Sequence, residues 1–365
     1  MMTVTANFQE LVEKWFQEAG KNFERQKKLA ELMYQDPEPA VGLTPKEVVW
    51  TRNKAKLYRF VPQKDTLHPV PVLMVYALIN KPYILDLCPG NSLVEFLVSH
   101  GFDVYMLDWG TAGPEDKGNT YDTYVLDYMP DAVARVLKTA RAEQLTLIGY
   151  CMGGTFTAMY AGVHPTAPVK NMVFLAAPID FSDAGLFSKW LDEKYFNVDK
   201  MVDVMGNIPA DAIDLGNKML KPVSNFYGAY TNLWERMWDS SFVENWKVLN
   251  KWVNDGVPFP GEAFRQWIKE FYQRNRLVKG ELYLRGQRVD LSRIKCPVLN
   301  LTASRDHIVP EGQSMALKEC TASSDYEHVS VPAGHVSLVI GRQAQKVTWQ
   351  KVRTWLEGRQ YDRQD

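Results

Sequence analysis

The sequence predicts an α/β fold in which a mainly parallel β-sheet carries helices on both faces. Two observations lead there. From residue 56 onward, short β-branched and aromatic runs alternate with amphipathic helical runs. The strand-like runs are apolar on both sides, as strands buried between two helical layers must be. A third observation shapes the plan: between Phe181 and Arg293 the alternation stops and a helical, aromatic-rich stretch holds Trp190, Trp234, Trp238, Trp246, Trp252 and Trp267 of the chain's 11 tryptophans.

Taken in order, residues 8 to 33 place Phe8, Leu11, Val12, Trp15, Phe16, Phe23, Leu29, Leu32 and Met33 at mostly three- and four-residue spacing, an apolar stripe on a helix that ends at Asp36-Pro37-Glu38-Pro39. Its acidic and basic residues are mixed, so it is not a polybasic lipid-binding helix; it packs on its own catalytic domain or docks to a partner. Thr44-Pro45-Lys46-Glu47 reads as an N-cap, a first-turn proline and a capping Glu, which predicts a short helix through Trp50. Strands are expected at Leu57 to Val61, Val70 to Ile79, Val104 to Trp109, Leu145 to Tyr150, Val173 to Ala176, Val298 to Thr302 and Val329 to Val331. Helices are expected at Ser92 to His100, near Asp127 to Ala142, from Met152, after Pro310 and from Gln345 to Leu356. The resulting plan is an N-terminal helical extension (1–55), a catalytic core (56–181 and 294–357), a cap insertion (182–293) over the C-terminal edge of the sheet, and a frayed polar tail (358–365).

Composition excludes several function classes. The 365 residues carry 42 Lys and Arg against 43 Asp and Glu, so no strong field is available to gather nucleic acid. The longest apolar run, Val70 to Ile79, is too short to cross a bilayer, and no charged start leads into an apolar signal segment. The expected compartment is the cytoplasm. Cys88, Cys151, Cys296 and Cys320 form neither a CxxC pair nor a disulfide framework. With no dinucleotide, phosphate-loop, HExxH or EF-hand pattern, neither a cofactor nor a metal site is expected.

Gly149-Tyr150-Cys151-Met152-Gly153-Gly154 follows the run Leu145 to Ile148 and opens a helix. This is the strand-turn-helix setting of a nucleophile elbow, G-x-S-x-G, with Cys in place of Ser, and it narrows the expectation to an α/β-hydrolase fold. The nucleophile of such an elbow sits in a strained turn, and its neighbours lack Cβ so that strand and helix can approach. Unpaired N–H groups at the helix start favour negative charge there. A buried structural cysteine at a tight turn is the plain alternative, and the partners argue against it.

A thiol nucleophile needs a base and a group that orients the base. In this fold the chain order is nucleophile, acid, histidine. Asp306 follows the strand run Val298 to Thr302, and His335 follows Val329-Ser330-Val331 in Pro332-Ala333-Gly334-His335; both fall in loops after strands. Asp180 is the alternative acid. His307 either lines the site or bonds the backbone, whereas His68, His100 and His164 read as structural. The oxyanion formed on attack needs two N–H donors, expected from Met152, next to the nucleophile, and Ile79, in the loop after an early strand. Cys88, Cys296 and Cys320 lack an elbow and read as structural.

With these residues in place, the chain resembles the polyhydroxyalkanoate synthases, in particular the short class III catalytic subunit. The likeness runs from about Thr44 through the opening Thr44 to Val49, Tyr76 to Pro89 (YALINKPYILDLCP), Gly101 to Trp109 (GFDVYMLDW), Gly149 to Gly154 (GYCMGG), Ser304 to Val309 (SRDHIV) and Gly334-His335. The resemblance implies that Cys151 carries the growing chain, that His335 is its base, and that Asp306 is the carboxylate partner, also assigned in the family to the substrate hydroxyl. It further implies a 3-hydroxyacyl-CoA substrate, mainly 3-hydroxybutyryl-CoA, an E-type companion subunit, a homodimer or larger hetero-oligomer, and attachment to polyester granules. Class IV relatives use an R-type companion instead. A cysteine hydrolase of the dienelactone-hydrolase kind shares the elbow cysteine but lacks the large cap and the long synthase-like blocks, and a non-catalytic granule protein is a third reading. The thiol suits polymerisation: exchange of one thioester for another keeps the acyl group activated, and a dry cap would let a hydroxyl rather than water attack next.

Overall fold

Eight strands form one sheet: β1 (Lys46–Arg52), β2 (Ala55–Phe60), β3 (Val72–Val75), β4 (Val104–Asp108), β5 (Leu145–Tyr150), β6 (Val169–Leu175), β7 (Val298–Ala303) and β8 (Tyr326–Val331). Their spatial order is β1-β2-β4-β3-β5-β6-β7-β8, and β2 alone runs against the others. The structure, a computed structural model, describes residues 2–34 and 38–361. Every residue of β3, β5 and β7 is buried, and apart from Thr146, Asn300 and Thr302 their side chains are apolar, as in strands covered on both faces. The order and direction of the strands are those of the α/β fold the sequence predicts.

The chain divides into two compact units, one of Met1–Ala40 with Lys221–Lys251 and one of Val41–Leu220 with Trp252–Asp365. In the first, helix α1 (Met2–Tyr34) places Arg25 over the ring of Trp234 and Lys28 over that of Trp238, and Lys251 pairs with Glu38. Trp15, Phe16 and Phe23 of α1 are exposed. The predicted end of this helix at Asp36-Pro37 lies outside the described residues.

In the second unit, α2 (Leu93–Ser99), α3 (Met129–Ala140), α4 (Met152–Val163) and α5 (Trp349–Glu357) accompany the sheet. Of the aromatic-rich stretch, helices Leu186–Trp190, Val198–Met205, Ala210–Met219 and Gly261–Gln266 lie in this unit. No described helix is long and apolar enough to cross a membrane.

Some local expectations fail for identifiable reasons. Residues 46 to 50 are strand, not helix. Val48, Val49 and Thr51 are β-branched, and β1 pairs with β2 through a two-residue turn, Arg52 facing Ala55, with Asn53 in the left-handed region at φ 50°. Sheet pairing outweighs the capping signal of Thr44-Pro45. β3 stops at Val75, short of Ile79, because the chain then leaves the sheet, and the Trp109 indole donates to the Tyr76 carbonyl at 2.9 Å. The tail does not fray from Gly358: Gln360 is buried, its side-chain oxygen accepts from Val70 N–H at 3.2 Å, and Arg359 forks onto Asp325. Residues 362–365 lie outside the described residues.

Candidate active site

β5 runs directly into α4 with Cys151 at the joint, and this residue alone adopts φ 55°, ψ −131° there. Such a backbone is costly for a residue with a Cβ and is held by its surroundings. The three glycines supply the room. A Cβ on Gly149 would collide with the Gly154 backbone, one on Gly153 with the Val75 carbonyl, and one on Gly154 with Ala177. At Gly149 and Gly153, β5 and α4 therefore approach main chain directly, that of Gly154 and that of Val75 in β3. Gly153→Ala is expected to destabilise the protein by at least about 2 kcal/mol, because rigid main chain rather than a flexible side chain must yield; a denaturant midpoint equal to that of the parent would contradict the packing argument.

His335 and Asp306 leave the sheet in the loops after β8 and β7, and both reach the edge from which Cys151 emerges. His335 Nδ1 lies 2.6 Å from Asp306 Oδ2, with the Asp306 side chain wholly enclosed and that of His335 nearly so. The other Asp306 oxygen accepts from the N–H groups of Ile308 at 2.8 Å and Val309 at 2.9 Å. Burial works against the Asp306 carboxylate, but the imidazole beside it and these two N–H donors outweigh burial and hold its pKa below 3.8. Burial likewise works against a charged His335, yet Asp306 and Cys151 together raise its pKa well above 6.5. Cys151 is near enough to the His335 ring to help raise its pKa, and with Nδ1 on Asp306 the nitrogen left for the sulfur is Nε2. The structure thus brings Cys151, His335 and Asp306 into one chain of contacts.

The remaining candidates separate. Asp180 accepts from Asn275 at 2.7 Å and Ser182 N–H at 2.9 Å, and the orienting contact on His335 is made by Asp306 instead. His307 is half-buried in the same loop as Asp306. Met152 opens α4, where an N–H has no carbonyl one turn earlier to bond. Ile79 sits in the loop after β3, its carbonyl accepting from Val257 N–H at 3.2 Å. All four cysteines are free. Burial raises the thiol pKa of Cys88 and Cys320 above 9.0 and pushes that of Cys296 up to about 12, which keeps these three protonated. Among the described residues no group of three or more His, Cys, Asp and Glu is arranged to hold a metal ion.

Sequence reasoning overlooked a set of tyrosines around the sulfur. The phenols of Tyr76, Tyr121, Tyr150 and Tyr272 each interact electrostatically with Cys151. Tyr150 stacks on the His335 ring at 5.3 Å and on Tyr76 at 5.3 Å, and its hydroxyl donates to the His335 carbonyl at 3.2 Å. Tyr150 occupies the variable position of the elbow, where the motif carries no signal about its partner.

Residues 70–341 match the family described as "alpha/beta hydrolase fold". Two solved structures share the architecture: a bromoperoxidase from Bacillus anthracis (TM-score 0.51, 17% identity, 86% of this chain and 99% of that one) and a thermophilic esterase from Thermogutta terrifontis (TM-score 0.50, 17% identity, 87% and 98%). Strand order and elbow make this an α/β-hydrolase-fold protein.

Residues 11–97 match the family described as "Poly-beta-hydroxybutyrate polymerase (PhaC) N-terminus". The chain is 39% identical to the poly(3-hydroxyalkanoate) polymerase subunit PhaC of Synechocystis over 88% of its own length and 86% of the relative's. For the subunit from Allochromatium vinosum the figures are 37%, 87% and 90%, and for that from Haloferax mediterranei 38%, 88% and 65%. The chain belongs to the poly(3-hydroxyalkanoate) polymerase family, and so is an enzyme of the acyl-transferring, polymerising kind. Relatives of this length named as subunits fit the short class III catalytic subunit that the sequence resembles.

Proposed function

We propose that the protein transfers 3-hydroxyacyl groups, mainly 3-hydroxybutyryl, from CoA onto a growing polyester with Cys151 as the nucleophile. The observation that carries this reading is the buried His335–Asp306 pair, 2.6 Å across, set beside a cysteine on a strained elbow whose sulfur helps raise the His335 pKa. His335 Nε2 takes the sulfur's proton as the thiolate attacks the thioester carbonyl. The N–H groups of Met152 and Ile79 receive the oxyanion. Collapse breaks the bond to CoA, whose sulfur takes the proton back from His335, and a thioester on Cys151 remains. In the second half the 3-hydroxyl of another acyl unit attacks that thioester and gives its proton to His335. An ester forms, and the proton returns to the Cys151 sulfur. Asp306 keeps the imidazole in the tautomer that presents Nε2 and steadies its charged form. The CoA thioester is substrate, and no other cofactor takes part.

Rings of Phe156, Phe181, Trp267 and Phe271 stand beside Tyr121 and Tyr272, and this aromatic wall supports the exclusion of water, which would otherwise hydrolyse the acyl-enzyme. The proposed setting is a cytoplasmic granule surface, in complex with an E-type companion and with further copies of the chain.

The test supplies 3-hydroxybutyryl-CoA with and without an E-type subunit. Release of CoA together with sedimentable polyester, faster with the companion, is expected. Release with only free 3-hydroxybutyrate would make the protein a cysteine hydrolase, stimulation by an R-type subunit alone would make it class IV, and unchanged granule formation in cells by Cys151→Ala would make it a scaffold.

A further inference from the structure

The aromatic wall beside the sulfur holds a fully buried hydroxyl with no hydrogen-bond partner among the described residues. Tyr121 is fully buried, its ring stacked between Phe156 (4.8 Å, 14°) and Trp267 (5.5 Å, 6°), with Phe271 against it at 5.3 Å. Its backbone N–H donates to Gln266 at 2.8 Å. Its hydroxyl has no hydrogen-bond partner among the described residues. Phenylalanine would fill the same stack without burying an unpaired hydroxyl, so nothing in the packing calls for tyrosine. The residue also lies near the chemistry, since its ring stacks on Phe156 of α4, the helix that Cys151 opens, and ionised Cys151 and Tyr272 both add to the rise in its pKa. Burial raises its pKa well above 10.0, so it remains a neutral hydrogen-bond donor throughout the physiological range.

We propose that the Tyr121 hydroxyl recognises the acyl group carried by Cys151, donating a hydrogen bond to the oxygen at C3 of a 3-hydroxyacyl chain. This rests on the acyl-transfer reading above. An acyl group bound at the sulfur carries its C3 oxygen two carbons beyond the thioester carbonyl. Of the rings packed against Tyr121, those of Phe156 and Phe271 offer such an oxygen no conventional hydrogen bond. A 3-hydroxyacyl chain pairs its oxygen with Tyr121, whereas a 3-deoxy chain leaves the phenol unpaired. A site built around a buried polar group rejects the analogue that cannot bond it more strongly than shape alone could.

The experiment measures acylation of Cys151 by intact-protein mass spectrometry, with 3-hydroxybutyryl-CoA and butyryl-CoA as competing donors, in the parent and in Tyr121→Phe. The parent is expected to favour the hydroxylated donor, and the variant to lose about tenfold of that preference. Its melting temperature should match or exceed the parent's, because an unpaired buried hydroxyl has been removed. An unchanged donor ratio in the variant overturns the inference, and so does a lowered melting temperature, which would reveal a structural partner for the hydroxyl. If neither donor modifies Cys151 in the parent, the acyl-transfer reading itself fails and takes this inference with it.

Discussion

Cys151→Ser is expected to abolish sedimentable polymer and to slow CoA release on the order of a thousandfold or more, with little change in melting temperature. One atom changes, and the elbow at φ 55°, the three glycines and the His335–Asp306 pair remain in place. Two separate losses combine. A serine hydroxyl holds its proton far more tightly than a thiol, so His335 must remove it against a larger gradient. Any acyl group that does transfer becomes an oxygen ester, no more activated than the bonds of the product polymer, so the second transfer has no downhill drive. CoA release and pelleted polyester read the two losses independently. A serine variant that makes polymer at a tenth of the parent rate would show that the sulfur does not carry the chain.

Asp306→Asn is expected to lower acylation of Cys151 by on the order of 10³ to 10⁴. The amide cannot steady an imidazolium, and through its NH₂ group it can bond Nδ1 as an acceptor, which moves the ring proton to Nε2, the nitrogen that must accept from the sulfur. The same substitution has a pH signature. Asp306 is held below its ordinary 3.8, so its share of stability is complete above that value and is lost as pH falls through the lowered pKa. His335 is raised above its ordinary 6.5, so its share is complete below 6.5 and is lost as pH rises through the raised pKa. Between those ordinary values both shares are present. In the variant the carboxylate is gone and burial pushes the proton off His335. The gap in urea midpoint between parent and Asp306→Asn should therefore be largest near about pH 5.5 and should narrow as the solution becomes alkaline. A gap that widens toward alkaline pH would contradict the pairing.

The elbow was legible because its requirements are local: glycines at fixed offsets, an apolar strand before and a helix after. The loops bearing Asp306 and His335 were legible because a short apolar strand run precedes each. Strand starts were harder to see, since β6 opens on Val169-Lys170-Asn171 and β8 on Tyr326-Glu327-His328, polar stretches that join the sheet through pairing with neighbours. The β1–β2 hairpin was hidden because Thr44-Pro45-Lys46-Glu47 satisfies a helix-start pattern while the partner that makes it a strand lies beyond the turn. The tyrosines around the sulfur left no trace in spacing. They come from the end of β3, the approach to α3, the end of β5 and the stretch following Gly261–Gln266, and only the folded chain gathers them.

Tyr150 precedes Cys151 by a single peptide bond, stacks on the His335 ring and donates to that residue's carbonyl. The end of β5 and the loop that carries His335 are thereby tied to each other, so a shift of either must break a ring stack and a hydrogen bond before it can change the spacing of sulfur and imidazole.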